Sequence, residues 1–259
     1  TGCNTNAIKN SYAKSNKVTS YSGSDEGIAD SFSGGLAGYN FGSVENCYSQ
    51  STDNVFGIAK SPKAATYVGG LIGFSSGTIC DSFAKEYPIG ASSFDGVIYA
   101  GGLLGYNYKG IVKRCYSIGK TYSSNFSSKN KPYSGGLIGY NYYGTVYDCY
   151  AKVTTRSRAY SGGLIGENEH GIVRNCYAAG AVSGAYPAGL ISENDGFVQK
   201  SYYNSDLFGS LENGVGEPTN TLNMKLSETY QNWNFSTFWS QSDYHNDGYP
   251  YLNPRSENG

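Results

Sequence analysis

The sequence is short of what helical enzymes are built from. One Met and two His leave little for helix cores or for histidine-based metal centres. Charged residues make up 15%, well under the usual quarter. Nineteen Lys plus Arg balance twenty Asp plus Glu, for a net charge of −1. With no clustered basic run, this argues against a nucleic-acid partner, which needs grouped cations to neutralise phosphates. No apolar run is long enough for a membrane span. There is no H-E-x-x-H, P-loop, EF-hand loop or C-x-x-C pair. The chain begins at Thr1, without signal peptide or initiator Met, and reads as a processed form or a piece of a longer protein.

What is abundant is glycine, 36 residues, and tyrosine, 26. They are arranged periodically. A Gly-Leu-x-Gly block recurs with its leucine at Leu36, Leu71, Leu103, Leu137 and Leu164, and in degraded form at Leu190. Eleven or twelve residues later comes a small residue followed by an aromatic: Cys47-Tyr48, Ser82-Phe83, Cys115-Tyr116, Cys149-Tyr150, Cys176-Tyr177, Ser201-Tyr202. Gly2 to Tyr12 fits the same frame, so Thr1 falls inside a block. Nearly all length variation lies between the small-aromatic pair and the next Gly-Gly-Leu. A fixed part plus one variable part is what stacked coils give, with loops 49–66, 84–98 and 117–132 on one side.

Each column of equivalent positions has its own character. Ile8, Val44, Ile79, Val112, Val146, Val173 and Val198 are all β-branched and are expected inside. The next column, Lys9, Glu45, Cys80, Lys113, Tyr147, Arg174 and Gln199, tolerates anything and is expected outside. Gly42, Gly77, Gly110, Gly144, Gly171 and Gly196 form a turn column expected to need positive φ. Asn4, Asn40, Asn107, Asn141, Asn168 and Asn194, with Ser75 as exception, form an amide column able to hydrogen-bond along a stack. The expected fold is all-β: a parallel β-helix of about seven coils over 1–203, right-handed by the crossover preference of parallel strands. Residues 204–259 form a C-terminal cap. In it, Gly209, Gly214, Gly216 and Pro218 mark a linker, and 220–230 is predicted to form a short helix with Leu222, Leu226 and Tyr230 on its apolar face.

This frame resembles the GLUG repeat family, named for its Gly-Leu-x-Gly core. Such repeats occur in large bacterial surface and secreted proteins, including adhesin-like proteins and non-catalytic regions of immunoglobulin A peptidases. The resemblance implies a secreted or cell-surface setting and a scaffold or binding role. It carries no catalytic residue.

Three aromatic columns are legible. One precedes the Gly-Gly-Leu blocks: Phe32, Tyr67, Tyr99, Tyr133, Tyr160, Tyr186. A second is Tyr39, Phe74, Tyr106, Tyr140, and a third runs from Tyr12 through Tyr48, Phe83, Tyr116, Tyr150 and Tyr177 to Tyr202. They are either structural ladders or a strip that stacks on sugar rings, with Tyr39, Phe74, Tyr106 and Tyr140 as ligand-binding candidates. Where that second column ends, Glu167, Glu169, Glu193 and Asp195 offer oxygens for a cation such as Ca2+, or a close carboxylate pair. Of the six cysteines, Cys47, Cys115, Cys149 and Cys176 share a column that alternates with serine and read as small buried residues, although vertical disulfides would fit sterically; Cys3 and Cys80 fall on outward columns. Three functions compete. The first is a non-catalytic adhesive or structural rod of a larger protein, met at its N-terminal end by further coils or a neighbouring chain. The others are a carbohydrate-binding or polysaccharide-degrading β-helix, and a filament subunit stacking end to end.

Overall fold

The computed structural model describes residues 2–22, 29–61, 63–93, 96–125, 130–208 and 215–253, without the side chains of 86 and 87. The chain winds as a parallel β-solenoid whose turns each contribute a strand to four sheets. The first sheet follows the Gly-Leu corner and holds seven strands, from Cys3–Asn4 to Ile191–Asn194. The second, also seven, runs from Ala7–Lys9 to Phe197–Gln199. The third starts with Tyr12–Ser22 and closes with Glu217–Thr219. The fourth, six strands, precedes the Gly-Gly-Leu blocks. Every pairing within these four sheets is parallel and joins equivalent positions of consecutive turns, as Val112 does with Ile79 and Val146. The amide of Leu103 donates to the Leu137 carbonyl, and that of Leu137 to Leu164, at 2.8 Å each. Equivalent leucines are therefore vertical neighbours.

One coil cannot bury its own apolar face; the stack does it. Leu71, Leu103, Leu137, Leu164 and Leu190 are fully buried with the Val44-to-Val173 column and the small residues Cys47, Ala84, Cys115, Cys149, Ala151 and Cys176. Ile8 and Val198, at the two ends, are partly buried. Two expectations change here. The variable segments are not loops along their length. Tyr48–Ala59, Phe83–Ser93 and Tyr116–Asn125 extend the third sheet and, with the fourth, enclose a second core of Val55, Val68, Ile89, Ala91, Ile98 and Ala100. Nor does the glycine turn column need positive φ, since none of its six members adopts it. A Cβ at Gly42 would strike the Asn6 carbonyl, and one at Gly77 the Gly42 carbonyl. Close approach between coils excludes a side chain there.

In three turns the left-handed residue is instead the one before the glycine, Lys109, Tyr143 and His170, and in every turn there is another immediately before the small-aromatic pair: Asn10, Asn46, Asp81, Arg114, Asp148, Asn175 and Lys200, all seven with φ between 48° and 54°. Asn and Asp tolerate this region and fill five of the seven places. The residue that follows bridges the bend. The Cys149 thiol donates to the Tyr147 carbonyl at 3.2 Å, and the Ser82 hydroxyl does the same to Cys80 at 2.7 Å. Ser and Cys alternate because the column needs a small donor, not merely a small residue. All six cysteines are free, and Cys3 alone is exposed. Cys80, expected on the outer face, pairs there with Glu45 and Lys113 yet retains only 7% exposure.

The C-terminal segment does two jobs. Tyr203, Phe208 and Val215 join the main core at the last turn and close that end, with Tyr203 and Phe208 meeting edge to face at 5.7 Å. The one α-helix among the described residues is Ser205–Phe208. The predicted helix over 220–230 is instead two 3-10 turns, Asn223–Lys225 and Ser227–Thr229. Leu222 and Leu226 are exposed; Met224 and Tyr230 are buried. From there to Leu252 the chain lies on the flank of the third sheet, not over its end. Trp233, Trp239, Tyr230 and Tyr249 cover Tyr150, Tyr177 and Tyr202. The Tyr177 hydroxyl donates to the Pro250 carbonyl at 2.6 Å, and the Trp233 indole to the Lys200 carbonyl at 3.2 Å. Of the expected linker, 209–214 lie outside the described residues, while Gly216 takes φ 84° against the Leu190 side chain.

Candidate functional site

The aromatic columns form on consecutive turns because strand register puts ring over ring. Phe74 stacks on Tyr39 at 4.4 Å and on Tyr106 at 5.2 Å, and Tyr106 continues to Tyr140 at 4.9 Å. The first column stacks likewise, from Phe32–Tyr67 at 4.8 Å to Tyr160–Tyr186 at 5.0 Å. The two columns meet edge to face, as Tyr99 does Tyr106 at 5.1 Å and 77°. This geometry settles where the ring faces are. Phe74 and Tyr106 each have a parallel ring on both sides, so their faces turn toward one another and their edges outward. Tyr140 is buried. The four candidate ligand-binding rings are members of a self-stacked herringbone, which leaves Phe74, Tyr106 and Tyr140 without a free face for a sugar and Tyr39 as the end of the stack. Burial drives these phenols up, Tyr67 to about 12 with Asp30 and Tyr39 adding. A further column went unnoticed in the sequence: Tyr108 stacks on Tyr142 at 5.4 Å, two residues beyond the second column on the same strands.

At the C-terminal end of these columns stand the carboxylates. Glu167 follows Tyr140 in register, and Glu193 follows Glu167, as expected from the repeat. The Tyr140 hydroxyl donates to Glu169, and Tyr133 hydrogen-bonds Glu167. Burial raises Glu167 to about 7; Glu193, Glu169 and Asp195 push the same way, while the Tyr133 hydroxyl opposes them. Asp195 accepts the His170 backbone amide at 2.6 Å and faces its ring Nδ1 at 3.4 Å. Three of the four expected cation ligands thus have a tyrosine or histidine partner: Glu167 with Tyr133, Glu169 with Tyr140 and Asp195 with His170. Among the described residues, ligand atoms gather within 4.8 Å only at Glu45, Cys80 and Asp81. There Asp81 is engaged by Arg114 in a two-pronged pair at 2.5 Å, and burial raises the Cys80 thiol to about 11.

Gly73-Phe74-Ser75-Ser76-Gly77 spells, letter for letter, a serine-hydrolase elbow. Its Ser75 is fully buried at the end of the strand Ile72–Ser75, where it accepts a hydrogen bond from Asn40 at 2.9 Å. It belongs to the amide column. That column is real: Asn107 donates to Asn141, Asn141 to Asn168 and Asn168 to Asn194, at 2.7 Å each, and each amide also reaches a turn-glycine carbonyl.

Stacked turns, a leucine spine, an amide column and aromatic columns define a repeat β-solenoid. Three of its stretches, residues 33–54, 132–155 and 157–183, match the family model of the GLUG motif. No curated protein matches the sequence. The fold is similar to a crystal structure from Bacteroides ovatus, of a protein provisionally described as an immunoglobulin A1 protease. That match has 15% identity and a TM-score of 0.54, covering 95% of this chain and 76% of the other. Among the described residues no helix is long and apolar enough to cross a membrane.

Proposed function

We propose that this chain is a non-catalytic extracellular module, a stiff rod within a larger surface or secreted protein, whose N-terminal turn receives further coils. The observation that carries this is the inequality of the two ends. At the first turn, Cys3–Asn4, Ala7–Lys9 and Tyr12–Ser22 are each paired on one side. Ile8 and Ala13 sit at core positions there but are partly open. An eleven-residue edge that is unpaired among the described residues is a template for another strand. At the other end Tyr203, Phe208 and Val215 plug the core. Pro187 and Pro218 on the terminal strands lack the N–H a next strand would need, which weighs against a head-to-tail filament. The hydrogen bonds that engage Glu167, Glu169 and Asp195 favour a structural part for these acids over a catalytic one.

The test adds a turn. Gly2 is equivalent to Gly105 and Gly139, so a copy of residues 105–138 joined before Gly2 extends the solenoid in frame. The extended chain should melt higher and protect the amides of 12–22 from hydrogen exchange. An unchanged exchange pattern with a lower melting temperature would reject the reading.

A further inference from the structure

The solenoid narrows abruptly partway along. Seventeen residues separate Tyr116 from Tyr133, but ten separate Tyr150 from Tyr160 and nine separate Tyr177 from Tyr186. Tyr116–Asn125 runs two residues past Ser123, the last position it pairs with Tyr150–Ser157, and so overhangs the next turn. Beneath the overhang is a cleft of about 660 Å3, lined by Tyr122 and Ser124 above, Arg156 and Arg158 at its centre, and Ser183 and Gly184 below. Register puts Arg156 between Tyr122 and Ser183.

Four features make this more than a solvated edge. First, two arginines converge with no carboxylate in the lining, and among the described residues neither forms an ion pair. The chain as a whole is nearly neutral, so the paired positive charge is local. Second, Arg158 is anchored, its Nη1 donating to the Asn125 carbonyl at 3.2 Å. That leaves the rest of its planar fork for a second acceptor. Third, the floor is polar and fixed. Buried Ser123 is bonded to Ser134 at 2.7 Å and to Ser157 at 3.0 Å, and Ser157 donates to the Pro132 carbonyl. Fourth, Tyr122 differs from the ladder tyrosines. Its ring rests over Gly90, where a Cβ would strike it, and its nearest described aromatic neighbour is Phe56, tilted at 6.1 Å. It is the stacking partner the self-stacked columns cannot supply.

We propose that this cleft binds an acidic sugar residue of a glycan: the arginines take the oxyanion, carboxylate or sulfate, Ser124 and Ser183 take hydroxyls, and Tyr122 packs on the ring. A guanidinium pair reads both oxyanions through the same forked hydrogen bonds, and the Tyr122 ring supplies an apolar wall for the sugar. This goes beyond the rod function, which is tested at the N-terminal turn and stands or falls separately.

The experiment titrates the whole chain with three probes on one core: lactose, 3′-sialyllactose and 3′-sulfolactose. At least one acidic probe should bind ten-fold or more tighter than lactose, with affinity falling as salt rises. The acid preferred tells carboxylate from sulfate. R156A/R158A should lose that preference at an unchanged melting temperature, while K14A/K85A, cations elsewhere on the same sheet, should keep it. Equal binding of all three probes, or of parent and R156A/R158A, overturns the proposal. So does loss of the preference in K14A/K85A.

Discussion

Asn107 pairs in register with Ser75, and its buried side-chain oxygen receives no hydrogen bond among the described residues. Everywhere else in the amide column an Asn donates to its neighbour one turn on. Ser75 accepts from Asn40 but has no second arm to reach Asn107. The column is thus two separate chains of amides, with an orphaned acceptor at the break.

Ser75→Asn should rejoin them. An unsatisfied buried acceptor costs about 1–3 kcal/mol, and the site already accommodates Asn in the other turns. The variant is expected to gain about 1 kcal/mol in urea unfolding, and the gain should vanish in the background of Asn107→Ala.

Two glycines give a sharper contrast. A Cβ at Gly144 would collide with the side-chain amides of both Asn107 and Asn141, whereas one at Gly2 meets nothing within 4 Å. Gly144→Ala should cost about 2–4 kcal/mol through overpacking and lost amide bonds. Gly2→Ala should leave the melting temperature where it was.

Thiol labelling should follow burial. Desolvation holds the Cys115 and Cys149 thiols well above the ordinary range and Cys80 at about 11. At pH 8 the native chain should take up one equivalent of Ellman's reagent, at Cys3, and all six in denaturant. Cys149→Ser, keeping a donor for the Tyr147 carbonyl, should be milder than Cys149→Val, measured by unfolding.

Glu167 sets a pH dependence. Its folded pKa, about 7, is raised from 4.5, so the native state holds this proton more tightly than the unfolded chain. Its contribution is complete below pH 4.5 and is lost as pH rises toward and through 7. Glu167→Gln should therefore raise the melting temperature at pH 7.5 relative to the parent and do so much less at pH 4.5. Melting curves of the two proteins across that window decide it.

The flank cover depends on Trp239, fully buried against Tyr150, Tyr177 and Trp233. Trp239→Ala should cost about 3–5 kcal/mol. It should also open Tyr150 and Tyr177 to solvent, with dye binding as the readout, while leaving the parallel-sheet circular dichroism intact.

Repetition is what made this fold legible before any coordinates. A parallel solenoid forces equivalent residues into vertical contact, so each column of the sequence carries one physical demand: β-branched inside at Val112, amide at Asn141, glycine at Gly144, donor at Cys149. The same averaging hid what is specific to one turn. The glycine column of Gly144 was legible, with Asn6 in its place only at the first turn, but not whether it served positive φ or want of room, since both produce glycine. The strands inside 49–66 and 84–98 were missed because their core, Val55 with Ile89, is shared by few turns.

By itself, then, the sequence determined the repeat, the stack and the columns, because these follow from periodicity and composition. Only the tertiary structure decided which way ring faces point, that Trp239 covers the flank and not the end, and that Arg156 and Arg158 share a cleft with Tyr122. Those depend on how far each turn bulges beyond the next, and side-chain direction at a step between unequal coils is set by packing that no single column records.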